Sequence, residues 1–234
     1  MDKEIIRFSS DLKQYLSSLF VKAGILPWFL GIALITFSVA SDNFLTAANI
    51  VGVARHSTDL ILVAMAQMIV MLTAGLDFSV GVILAMTSVV ASMTMVALWS
   101  GYGSGWEAIT IGCLAGLLVG ACIGMVNGVG VAFFRVPPFI MTLGMSSIIF
   151  GLALTITGGI PVYGAPESFT NIVGYGTLFG LSISIWITLF CILLIYIFIN
   201  LTKMGRYFYA IGGNLRAAEL SGINTKLYIV SAYV

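Results

Sequence analysis

Few residues in this chain have the chemistry to act on a ligand. Asp77 stands in Gly75-Leu76-Asp77-Phe78-Ser79-Val80-Gly81, the one acid with apolar sequence close on both sides. A carboxylate there has two readings that can coexist. It is a polar group on the path of a solute, or a cap whose oxygen satisfies the free backbone donors of the helix that follows. Ser79, Asn127 and Thr142, with Gln67, Ser146 and Ser147, are uncharged polar residues inside apolar sequence. Each could hydrogen-bond a hydroxylated solute or, equally, a neighbouring helix. His56 is the only histidine, in a loop with Arg55 and Asp59, and no nucleophile is spaced to meet it, so covalent catalysis has no candidate centre. The glycine-rich stretch 101–105 follows no strand pattern and is not a phosphate loop. Cys113, Cys122 and Cys191 lie in apolar runs away from histidine or paired acids, which points to buried packing rather than to a disulfide or metal site.

Positioning these residues falls to membrane helices. The chain of 234 residues is 60% hydrophobic and 8% charged, against roughly 25% charged in ordinary globular proteins. A soluble domain is excluded, and a net charge of +1 provides no basic surface for nucleic acid. Charge at mid-bilayer costs several kcal/mol, so the uncharged intervals mark candidate spans of about 20 residues. The expectation is an all-α polytopic membrane protein with about six spans, at 24–41, 60–76, 79–99, 108–133, 138–157 and 177–200. Six crossings put every basic residue except Arg55 on one side and Asp42, Asp59, Glu107 and Glu167 on the other. The side rich in Lys and Arg is then cytoplasmic, with the N-terminus. Residues 1–23 carry Ile5, Phe8, Leu12, Tyr15, Leu16 and Leu19 at helical spacing, an amphipathic helix for the cytoplasmic interface. Residues 24–202 form the transmembrane domain, 203–226 a cytoplasmic loop, and 227–234 read as the cut-off start of a seventh span.

Gly112, Gly116, Gly120, Gly124 and Gly128 recur every fourth residue along the fourth span, a small-residue seam for close helix packing. Four residues turn a helix by about 400°, so the stripe drifts by about 40° per step and suits a neighbour crossing at an angle. Arg135-Val136-Pro137-Pro138-Phe139 makes a tight turn, since proline is tolerated where a helix begins. In the loop 203–226, Asn214 is an N-cap, Leu215 to Ser221 a short helix and Gly222 its stop. Ala217 and Ala218 leave that helix thin enough for close docking, while Arg216 and Glu219 can fix orientation.

Three blocks of sequence resemble the membrane permeases of bacterial ABC importers for simple sugars of the ribose, xylose and galactose type. Gly75-Leu-Asp-Phe-Ser-Val-Gly81 is similar to that family's Gly-Ile-Asp-Leu-Ser-Val-Gly, and Val136-Pro-Pro-Phe-Ile-Met-Thr-Leu-Gly144 to its Val-Pro-Pro-Phe-Ile-Ala-Thr-Leu-Gly. The third block, Gly205-Arg-Tyr-Phe-Tyr-Ala-Ile-Gly-Gly-Asn214 with Ala217-Ala218 and Ser221-Gly-Ile-Asn224, resembles the loop that docks on the ATP-binding subunit. The resemblance implies ATPase coupling through Gly205, Arg206, Ala210, Gly212, Gly213, Asn214, Ala217, Ala218, Glu219, Ser221, Gly222, Ile223 and Asn224. By residue type and position, Asp77, Ser79, Asn127 and Thr142 are the candidates for a path past which the sugar moves. The resemblance further implies a place in the bacterial inner membrane, a second permease subunit, an extracytoplasmic sugar-binding protein and cytoplasmic ATPases. ATP and Mg would be held by those ATPases, with no cofactor on this chain. The rival expectation is a channel or secondary transporter, for which the spans offer no ion site beyond Asp77.

Overall fold

The computed structural model describes residues 24–102 and 105–234; the interfacial helix expected over 1–23 lies outside them. The described residues divide into two compact units, the first ending at Val53 and the second Ala54–Val234. In the first unit, helix α1 (Leu26–Ala40) starts with a proline in its first turn and ends where the Ser41 N–H returns to the Phe37 carbonyl at 3.1 Å. Its 15 residues cover about 22 Å, short of a hydrocarbon core of about 30 Å. Helix α2 (Ala47–Leu72) then begins in that unit and runs on into the second.

The second unit contains α3 (Val80–Tyr102), α4 (Gly105–Ala132), α5 (Pro138–Thr157) and α6 (Ile183–Leu201). Among the described residues, five helices, α2 to α6, are long and apolar enough to cross a membrane. The six expected spans are thus five of full length and one short apolar helix. The second also starts earlier than expected: Arg55, His56 and Asp59 sit inside α2 rather than in a loop. The physical reason is that Arg55 is engaged where it stands. Its guanidinium donates to the Gly174 carbonyl and lies 5.6 Å from the Tyr175 ring centroid, so it needs no loop to reach a partner.

The core of this unit joins α3, α4 and α5 through Met86, Ile123, Ile149 and Ala153. Between α5 and α6 the chain makes a short helical turn (Glu167–Phe169), a wider turn (Thr170–Gly174) and a two-stranded hairpin, β1 (Thr177–Leu178) and β2 (Leu181–Ser182), paired antiparallel. The expected sixth span therefore begins at Ile183 rather than at 177.

Past α6 the chain turns into three short helices, α7 (Lys203–Gly213), α8 (Leu215–Leu220) and α9 (Thr225–Tyr233), each opened by a side-chain cap. Thr202 accepts from the Gly205 N–H (3.3 Å), Asn214 from Ala217 (3.0 Å) and Asn224 from Leu227 (3.4 Å). Gly222, at φ 81°, supplies the left-handed stop after α8. Tyr207, Phe208 and Tyr228 close the inside of the three-helix unit, with the two tyrosine rings 4.9 Å apart and edge-on.

The glycine seam of α4 faces two partners in succession. A methyl group on Gly112 would lie 2.8 Å from the Ala91 carbonyl oxygen, and one on Gly116 3.0 Å from that of Thr87, both on α3. On Gly128 it would lie 2.7 Å from Val230 Cα, and on Gly124 it would strike the Tyr233 carbonyl, both on α9. Gly120, against the Thr87 methyl at 3.1 Å, completes the α3 portion. The drift of the stripe hands α4 from one neighbour to the next, where a single crossing helix was expected.

Candidate functional site

Between α2 and α3 the chain breaks inside the membrane domain. Ala74 adopts φ 58°, and the N–H groups of Thr73 and Gly75 both return to the Val70 carbonyl, at 3.0 and 3.1 Å. Asp77 Oδ1 then accepts from the Ser79 N–H (2.7 Å) and from the Ser79 hydroxyl (2.5 Å). The Ser79 hydroxyl oxygen accepts from Asn127 Nδ2 on α4 at 2.8 Å. Thr142 on α5 accepts from the Phe78 N–H at 3.1 Å and donates to the Pro138 carbonyl at 2.9 Å. Ser79, Asn127 and Thr142 are fully buried, and Asp77 is 7% exposed.

The four candidate path residues therefore come together in one buried network that ties the break to two further helices. Asp77 is not itself the N-cap of α3. The Ser79 carbonyl accepts the first helical bond, from Ile83 at 2.8 Å, which makes Ser79 the cap residue. Asp77 stands two residues earlier and folds the turn by accepting from the backbone two positions on, as aspartate does in turns. No basic side chain pairs with Asp77 among the described residues; its charge is met by these donors and by the positive end of α3.

Two polar atoms in and beside this network have spare capacity. Asn127 Oδ1 and the Tyr233 hydroxyl are buried and make no hydrogen bond among the described residues. Tyr233 projects from α9 into the space left by the missing side chain of Gly75, where a methyl group would lie 2.8 Å from its hydroxyl. A cavity of about 680 Å³ opens here, lined by Asp77, Ser88 and Tyr233 among apolar residues such as Ile83 and Leu117. Cys113 also lines it and Cys122 is exposed, so neither is the buried packing residue expected. Ser146 and Ser147 lie outside this cluster, and the Ser147 hydroxyl is satisfied by the Leu143 carbonyl of its own helix at 3.2 Å.

A second cavity, of about 700 Å³, lies where the three sequence blocks converge. Gly75 from the first, Val136 and Pro137 from the second, and Gly212, Gly213 and Asn214 from the third all line it. Gly212 makes this junction possible: a side chain there would collide with the Leu72 carbonyl at the end of α2, with Ala74 N only 3.5 Å away. Helix α7 thus presses its backbone directly on the break that carries Asp77.

The structure sorts the residues expected to couple to an ATPase. Arg206, Ala210, Gly213, Asn214, Ala217, Glu219, Ser221, Gly222 and Asn224 are exposed. Gly205 is packed on the Ile199 carbonyl, Ala218 is buried, and Gly212 and Ile223 are partly covered, so these four shape the surface from beneath. Glu219 pairs with Arg216 at 3.6 Å and accepts from the Thr225 hydroxyl at 3.3 Å, linking α8 to α9. Sequence reasoning missed Leu220, 81% exposed at the end of α8, Tyr233 at the polar network, and the helix α7 itself. The signal for α7 was present in Gly205, Phe208 and Ile211, spaced by three and all buried.

The region that contains the three blocks is also the region matched among known proteins. Residues 49–234 match the family described as branched-chain amino acid transport system / permease component. The chain belongs to this permease family. Together with the five apolar helices, membership makes it a multi-pass protein of the inner membrane, of the kind described as a transport system permease component. The chain is 34% identical over 199 residues to the ribose import permease protein of Escherichia coli, covering 84% of this chain and 60% of that one. It is 32% identical over 197 residues to the D-allose transport system permease protein of Escherichia coli, covering 84% and 58%. Identity to the L-arabinose ABC transporter permease protein of Azospirillum brasilense is 31% over 213 residues, covering 91% and 60%. The chain thus spans about 60% of the length of these curated relatives. No solved structure matches it significantly.

Proposed function

We propose that this chain acts as the membrane-spanning subunit of an ATP-driven importer for a simple sugar, a pentose or hexose delivered by an extracytoplasmic binding protein. The observation that carries the reading is the junction of the three sequence blocks: a short, exposed helix (α8) rests on α7, and α7 bears through Gly212 on the membrane break that holds Asp77. Relatives named for ribose, allose and arabinose support the sugar class. ATP and Mg belong to separate cytoplasmic ATPases, which dock on the face formed by Arg206, Ala217, Glu219, Leu220 and their exposed neighbours. A second permease subunit completes the path.

The mechanism follows from what touches what. Closure of the ATPases on ATP moves α8, and the capped junctions at Asn214 and Asn224 pass that movement to α7 and α9 as rigid pieces. Helix α7 displaces the Leu72–Ala74 end of α2, and α9 carries Tyr233 relative to Asp77. The network Asp77–Ser79–Asn127 keeps the break attached to α4 while the cavity beside it changes shape. The sugar needs no charge to pass, so a largely apolar cavity that offers the Ser88 and Tyr233 hydroxyls and one anchored carboxylate suits it, while Ser79, Asn127 and Thr142 stand behind its wall.

The test is co-purification from membranes with the ATPase encoded beside this chain. Capture of the ATPase by the wild-type chain, lost on Ala217→Trp, is the expected result. Equal capture by both would remove the docking assignment, and no capture by either would reopen the channel reading.

A further inference from the structure

The hairpin β1–β2 presents apolar residues at its tip where a water-facing turn would carry polar ones. Phe179 is 88% exposed and Leu178 51% exposed. Phe179 (φ 53°) and Gly180 (φ 79°) both lie in the left-handed region, the pairing of a tight two-residue hairpin turn. Asn, Asp or Gly is the usual first residue there, and an aromatic one takes on strain in order to stand outward. The tip is also held in place. Trp186, on the first turn of α6, donates its indole N–H to the Leu178 carbonyl at 3.0 Å, and its ring meets that of Phe179 edge-on at 6.3 Å.

The level of this hairpin is marked by other residues. Trp99 near the end of α3 and Trp106 at the start of α4 are both exposed and flank the connection at one end of the bundle. Trp186 stands at the same end, because α5 crosses once before α6 begins. A side chain on Gly105 would lie 3.3 Å from the Trp99 ring and 3.4 Å from the Ser168 hydroxyl, which brings the segment before the hairpin to that same end. Tryptophans gathered at one end of membrane helices mark the headgroup level of the bilayer. No residue between Glu167 and Lys203 is charged, so nothing in the hairpin opposes contact with lipid.

We propose that the hairpin 177–182 is a membrane-interface anchor, with Leu178 and Phe179 inserted among the headgroups and upper acyl chains of the leaflet opposite the α7–α9 side. It fixes the outer end of α6 while the inner end, joined to α7, moves. The occupant of this patch is the lipid boundary; Tyr175, already under Arg55, belongs to the protein side.

The test uses the full chain with its three cysteines replaced by serine, carrying Phe179→Cys or, separately, Leu178→Cys, each labelled with a bimane. Asn171→Cys is the water-facing control on the preceding turn. Each is reconstituted in phosphatidylcholine–phosphatidylglycerol vesicles with and without acyl chains brominated near the headgroup. The expected result is quenching by brominated lipid at 178 and 179 several-fold above that at 171, with protection from aqueous iodide. Iodide quenching at 178 and 179 equal to that at 171, without lipid quenching, would overturn the proposal. Protection from iodide without lipid quenching would overturn it too, because it would assign the tip to a protein contact.

Discussion

Adding one methyl group at Gly212 tests the transmission step most directly. Alanine there would drive its Cβ into the Leu72 carbonyl oxygen, with Leu72 C at 3.0 Å. Both groups are backbone, so no rotamer change relieves the overlap, and α7 must lift from the end of α2. Overpacking of this kind costs about 1–3 kcal/mol, which corresponds to a roughly 5- to 150-fold change in a coupled equilibrium. The docking face on α8 is untouched, because Gly212 is partly covered and points towards α2. Gly212→Ala should therefore retain the ATPase in co-purification while sugar uptake into vesicles falls at least fivefold for the same ATP hydrolysed, by the lower bound just given. Gly151→Ala on α5, with open space at that position and no part in the docking face, should leave both unchanged. Normal uptake by Gly212→Ala would refute the transmission route. Loss of the ATPase would refute the separation of docking from transmission.

Within the polar network, Ser79→Ala removes the acceptor of Asn127 Nδ2 and a donor to Asp77, both buried, and should lower stability in detergent by about 1–3 kcal/mol in a thermal or denaturant titration. Tyr233→Phe should be neutral or slightly stabilising in the same assay, since it deletes a buried hydroxyl that has no partner. On the exposed face of α8, Leu220→Glu should abolish ATPase capture without altering membrane insertion or thermal stability, because the side chain is 81% exposed and contributes little to the fold. Along the seam, Gly128→Ala should destabilise by about 1–3 kcal/mol through its overlap with Val230, whereas Gly144→Ala and Gly151→Ala on α5, with open space, should be tolerated.

Long-range patterns in the sequence were the most legible. Uncharged intervals located α3, α4 and α5 to within a few residues, because the cost of a buried charge acts on every residue of a span. The start of α2 was not legible, since charged residues are admitted to a helix when something distant satisfies them. The partner of Arg55 is the Gly174 carbonyl, far away in sequence. Caps were readable where one residue does the work, as at Asn214 and Gly222. Asp77 was harder, because its spacing to the helix start depends on whether the chain turns at 77 or at 79. The four polar residues assigned to a solute path were found by type alone; their union in one network requires α3, α4 and α5 to be assembled.

The glycine seam shows why sequence spacing alone could not assign the partner. A stripe that repeats every four residues is compatible with one neighbour crossing at an angle or with two neighbours in turn, since the drift of about 40° per step is the same. The two cases differ in consequence. With one neighbour, α4 would move as half of a rigid pair. With two, its Gly112–Gly120 half is fixed to α3 and its Gly124–Gly128 half is fixed to α9, which is continuous with α7 and α8. Displacement of α8 then reaches the membrane domain along two routes, through Gly212 to the end of α2 and through α9 to the middle of α4. Both routes end beside Asp77: the first at the break that carries it, the second at Tyr233 and at Asn127, which lies between Gly124 and Gly128. The carboxylate thus sits where two backbone contacts made possible by glycine converge, tied to Asn127 of α4 through the Ser79 hydroxyl, so a displacement arriving by either contact acts on one connected polar cluster.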